Sequence, residues 1–138
     1  MPAPFLESAL NLDLSPRVGV STAVVASPAA AAETIICSAS LPADLQFASG
    51  VLLVAFAAFT VGTNGVSANL RIRQTNVTGT IEAATGATTQ VAANLGELLV
   101  VGFDTAPAAG QIYKATLTVG SGSAASAVSN VALLALAV

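Results

Sequence analysis

Residues 51–59 of this chain, VLLVAFAAF, are apolar without interruption, and that run limits the fold more than any other stretch. It falls well short of the ~18–20 apolar residues that a membrane-spanning helix needs, and Thr60 and a glycine-bearing turn end it. Read as a strand, it has two faces, because successive side chains alternate. Val51, Leu53, Ala55, Ala57 and Phe59 share one face; Leu52, Val54, Phe56 and Ala58 share the other. In a two-layer sandwich one face lines the core, so a second apolar face must be covered by something outside the sheet.

The same argument applies elsewhere. Residues 131–138 are apolar on both sides, and in 97–103 Leu98 and Val100 oppose Leu99, Val101 and Phe103. Charge is too scarce to hide such faces: 8% of side chains are charged, against ~25% in an ordinary soluble domain, and 54% are apolar. The economical cover is another copy, which predicts a homo-oligomer.

Between these runs, Gly, Pro, Asn and Ser clusters recur at spacings suited to short strands, and β-branched residues are frequent. The pattern predicts strands over 21–26, 33–40, 51–61, 68–74, 80–84, 88–92, 97–103, 111–120 and 126–138. Thr34, Ile35 and Ile36 and the preceding Pro28 argue against a helix in the alanine-rich 29–32 segment. Asn64-Gly65 predicts a tight hairpin joining 51–61 to 68–74. Two strands alternate cleanly: Leu70 and Ile72 oppose Arg71 and Arg73, and Tyr113, Ala115, Leu117 and Val119 oppose Ile112, Lys114, Thr116 and Thr118. The expected fold is all-β, an eight-stranded antiparallel jelly-roll sandwich over residues 21–138.

Residues 1–20 read differently. Pro2, Pro4 and Pro16 oppose regular pairing and make this an N-terminal arm. Its apolar residues Phe5, Leu6, Leu10, Leu12 and Leu14 either dock on a neighbouring protein or fold back over the chain's own core. The N-terminus lacks the basic and apolar regions of a secretory signal, and the chain reads as an unprocessed soluble product.

Chemistry is sparse. With no histidine and a single cysteine, Ser-His, Cys-His and histidine-metal sites are excluded, as is an intrachain disulfide. Cys37 has no basic neighbour in sequence to activate it and reads as a small core residue. Glu82, Glu97 and Asp104 could converge in space, but no spacing requires it; the acids are isolated, without a calcium loop. Four scattered bases and a net charge of −3 argue against nucleic acid as a partner. Asn76-Val77-Thr78 matches a glycosylation sequon, unsupported by any secretory signal. The expectation is a non-enzyme with no cofactor, metal, nucleic-acid or membrane partner; a lectin-like role ranks second, on fold alone.

Residues 59–73 (FTVGTNGVSANLRIR), 110–119 (GQIYKATLTV) and the apolar C-terminal strand together resemble small jelly-roll proteins encoded among the virion genes of tailed bacteriophages. These are similar in architecture to tumour-necrosis-factor-like trimers, and several decorate, or cement, the outside of the capsid. The resemblance covers about residues 20–138. It implies a homotrimer on the outer surface of the head, at three-fold or quasi-three-fold positions of the major capsid protein lattice. On that basis side-chain character assigns Phe5, Leu6, Leu10, Leu12 and Leu14 to the capsid contact and Val131, Leu133, Leu134 and Leu136 to the trimer contact. A trimeric tail-fibre or receptor-binding module directed at a host glycan is the alternative.

Overall fold

The computed structural model describes residues 18–19, 32–43, 50–92, 94–120 and 126–138. The expected strand at 21–26, and Phe5, Leu6, Leu10, Leu12 and Leu14, lie outside them. The described elements are all strands: β1 (Val18–Gly19), β2 (Glu33–Ser40), β3 (Val51–Val61), β4 (Val66–Gln74), β5 (Ile81–Ala84), β6 (Thr88–Gln90), β7 (Leu95–Asp104), β8 (Ile112–Val119) and β9 (Ser126–Ala137). Val18 and Gly19, within the segment expected to be an arm, pair with Leu134 and Leu133 of β9. No helix among the described residues is long and apolar enough to cross a membrane.

Every strand pairing is antiparallel. One sheet runs β1-β9-β3-β7 and the other β2-β8-β4-β5, with β6 also on β4. β5 and β6 lie in line along one edge of β4, where Arg71 faces Ala84 and Ala68 faces Thr88. They are one strand position broken at Thr85, whose hydroxyl accepts the Leu70 N–H (2.9 Å) while its own N–H donates to the Leu70 carbonyl (2.8 Å). Counted so, the described residues make eight strand positions in two facing sheets, as in a jelly roll.

The core between the sheets follows the alternation read from sequence. Val51, Leu53, Ala55, Ala57 and Phe59 of β3 pack inward against Leu70 and Ile72 of β4 and Tyr113, Ala115, Leu117 and Val119 of β8. Cys37 joins this core as a buried free thiol. In the β3-β9 ladder the register shifts between Ala58 and Phe59, where Ala58 faces Asn130 and Phe59 faces Val128. The extra residue, Ser129, donates its hydroxyl to the Ala58 carbonyl (3.2 Å), and the bulge lets both Val128 and Val131 point inward.

The hairpin expected between 51–61 and 68–74 does not form. Its turn exists, with Gly65 at φ 76 and its N–H donating to the Gln90 carbonyl (2.9 Å). However, β3 and β4 belong to different sheets, so this turn arches from one layer to the other. β3 is already paired on both sides, with β9 and β7, leaving no edge for β4. Val61 and Val66 flank the turn and are both buried, which draws the chain across the core rather than back along β3.

Candidate assembly interface

The outer face of the β1-β9-β3-β7 sheet is apolar across three strands in register. Leu52 of β3 lies between Phe103 of β7 and Leu136 of β9. Two residues along, Val54 lies between Val101 and Leu134, and then Phe56 between Leu99 and Ala132. The β3 and β9 members are half-buried, whereas Leu99, Val101 and Phe103 are 60%, 58% and 43% exposed. At strand spacings of ~4.8 Å and ~6.8 Å between same-face residues, these rows cover roughly 300 Å² of sheet. Glu97, opposite Ala58, is the first charged residue met beyond them on this face of β7. Covering these rows with another apolar surface would favour association in proportion to the area removed from water.

The four β9 residues assigned to a subunit contact fall on opposite faces. Leu134 and Leu136 are on the outer face, while Val131 and Leu133 are 2% and 0% exposed and serve the chain's own core. The run is apolar on both sides, so composition could not say which side was which; the pairing of Leu133 with Ala55 settles it. Leu99, Val101 and Phe103, read from sequence as a third strand on this surface, are the most exposed members of its three rows.

The outer face of the opposite sheet is polar and ordered by one carboxylate. Glu33 at the start of β2 accepts from Arg73 Nε (2.5 Å) and Nη2 (2.8 Å), from Arg71 Nη1 (2.9 Å) and from the Thr116 hydroxyl. Burial alone would raise the Glu33 carboxyl, but the hydrogen bonds from Arg73 and Thr116 and the two guanidinium charges outweigh it and hold it below the usual range. The Arg73 guanidinium is in turn made harder to deprotonate, chiefly by its bond to Glu33. Sequence alternation placed Arg71 and Arg73 on one face; their acid lies 38 and 40 residues earlier and could not be paired without the β2-β8-β4 register.

A second polar cluster closes the seam between the sheets and brings together Glu82 and Asp104, two of the three acids whose convergence the sequence left open, while Gln74 and Tyr113 had no signal in the sequence. Asp104, at the end of β7, is buried and accepts from Tyr113 Oη (2.8 Å), Gln74 Nε2 (3.1 Å) and the Ala106 N–H (2.9 Å). The same Gln74 amide donates to Glu82 of β5 (2.8 Å), so two carboxylates share one donor. Burial, then the charge of Asp104, pushes the Glu82 carboxyl up against the opposing bond from Gln74. Burial and Asp104 likewise push the Tyr113 phenol well above its ordinary value. Gly102 lets β7 approach β5 here: a Cβ on it would lie 2.6 Å from that of Ala83. Each donor has an acceptor, so the cluster is suited to fastening the two layers. Among the described residues, no three His, Cys, Asp or Glu side chains gather as a metal-binding group.

No family model matches the sequence, and no curated protein matches it. Solved structures do match in shape. The VP2 subviral particle of infectious bursal disease virus superposes over 91% of this chain and 34% of its own, with TM-score 0.55 and 12% identity. A chain of the Gt strain of the same virus gives 91%, 34%, 0.52 and 13%. The xylan-binding domain CBM22-1 of Paenibacillus barcinonensis Xyn10C covers 87% of this chain and 83% of its own, with TM-score 0.44 and 14% identity. The chain thus spans about a third of the length of the virus chains it matches. What it shares with them is the architecture, a two-sheet antiparallel jelly roll.

Proposed function

We propose that this protein is a structural subunit of a virus particle: a bacteriophage decoration, or cement, protein acting as a homotrimer on the outer surface of the major capsid protein lattice. The observation that carries the reading is the three-row apolar face of the β1-β9-β3-β7 sheet. Such a face is costly in a solitary chain with so few charges and is useful in one that is permanently assembled. The sequence resemblance to small virion jelly rolls and the fold shared with the VP2 subviral particle of infectious bursal disease virus support the same reading.

In this role Leu52, Val54, Phe56, Leu99, Val101, Phe103, Leu134 and Leu136 meet sister subunits, and the N-terminal arm, through Phe5, Leu6, Leu10, Leu12 and Leu14, fastens the trimer to the shell. The work is done by binding and not by turnover. A protein that binds only the assembled lattice stabilises it by mass action, without cofactor or metal.

Electron microscopy of virions carrying the protein tests this. Trimeric density repeated over the head at three-fold or quasi-three-fold positions is the expected result. Density confined to the tail would replace the reading with glycan adhesion, and absence from the particle would overturn it.

A further inference from the structure

The outer face of the β2-β8-β4 sheet concentrates the chain's positive charge. Arg71, Arg73 and Lys114 are three of its four basic residues, although the whole chain carries a net −3. Arg73 and Lys114 are direct cross-strand partners, and Arg71 lies two residues along β4, opposite Thr116. Like charges directly opposite one another destabilise a sheet, so this arrangement is not one that folding favours. Glu33 is the acid bonded to these cations, and it is spent on Arg71 and Arg73.

What remains is unused donor capacity. Among the described residues, one of the N–H groups of Arg71 is engaged, by Glu33, and its side chain is 29% exposed. Lys114 Nζ meets an uncharged partner, the Ser38 hydroxyl (2.8 Å). An ammonium and a guanidinium held on neighbouring strands, with hydrogens to spare, match carboxylates presented by another surface.

We infer that this face is the one turned to the shell, and that its partner is an acidic protein surface whose carboxylates pair with Lys114 and Arg71. The inference rests on the decoration reading and adds the contact's location and chemistry. The two outer faces of a sandwich point in opposite directions, so when the apolar face closes against sister subunits, the cationic face is left outward. Contacts of this kind raise the association rate and make it sensitive to salt.

The test is co-sedimentation of the full-length protein with purified heads that lack it, at ionic strengths from about 0.05 to about 0.5 M. Lys114→Glu and Lys114→Gln are compared with wild type, and circular dichroism and light scattering check fold and oligomer. Lys114→Gln, which removes the charge and the bond to Ser38 without placing a like charge beside Glu33, keeps the test open if the reversal perturbs folding. The expected result is salt-sensitive wild-type binding, weakened about tenfold by Lys114→Glu and less by Lys114→Gln, with the oligomer intact. Wild-type binding that is indifferent to salt and equalled by both variants would overturn the inference while leaving the decoration reading in place. Failure of the wild type to bind heads at any salt concentration would overturn both.

Discussion

Phe56 and Leu99 face one another across the β3-β7 ladder on the outer side of the sheet, with Leu99 60% exposed. Their inward neighbours, Ala55 and Val100, are also a cross-strand pair, and both are buried. One ladder therefore supplies a finished core on one side and an open apolar surface on the other. That asymmetry between two equally apolar faces is the structural basis of the proposed assembly.

The two sides of β9 separate by mutation. Leu133→Ala empties a fully buried site and is expected to cost ~2–5 kcal/mol. Leu134→Ala removes a half-buried outward side chain and should cost less in folding while weakening subunit association. Urea unfolding of each variant over a range of protein concentrations checks this. Equal, concentration-independent losses would contradict the assignment of faces.

Much of this was legible beforehand. Strands 33–40 and 51–61 have the bounds read from sequence, and the alternation in β4 and β8 placed their core residues correctly, because period-2 patterns survive when one face is wet. In β9 both faces are apolar, so Val131 and Leu133 could not be told from Leu134 and Leu136. The Asn64-Gly65 turn was legible but its consequence was not: which strands flank a turn is local, whereas which strands pair depends on β7 and β9, far along the chain. The Glu33-Arg73 and Gln74-Asp104 contacts have the same long-range origin.

Two carboxylates give opposite pH dependences. Glu33 is depressed in the fold, so its contribution is present above the unfolded value of 4.5 and is lost as pH falls through the lower folded value. Glu82 is raised, so the fold binds its proton more tightly than the unfolded chain; stability declines as pH rises from 4.5 through the folded value. Glu82→Gln should remove that decline and raise the unfolding midpoint at neutral pH, whereas Glu33→Gln should lower it. Thermal melts of both variants between about pH 3 and 8 check the signs.

Tyr113→Phe deletes a donor to buried Asp104 while keeping the ring in the core. The carboxylate keeps Gln74 and the Ala106 N–H, so the expected loss is ~1–3 kcal/mol without a change of fold. Chemical denaturation measures it. A neutral result would mean that the Tyr113 hydroxyl contributes nothing to holding the sheets together at this seam.

The central claim, that the open apolar face is closed by sister copies, is tested most directly by light scattering on the eluting full-length protein at micromolar concentration. The account predicts a mass three times the 13.5 kDa of the chain, and a folded monomer for the Leu99→Asp/Val101→Asp double variant. A wild-type protein that elutes as a stable 13.5 kDa monomer would contradict it.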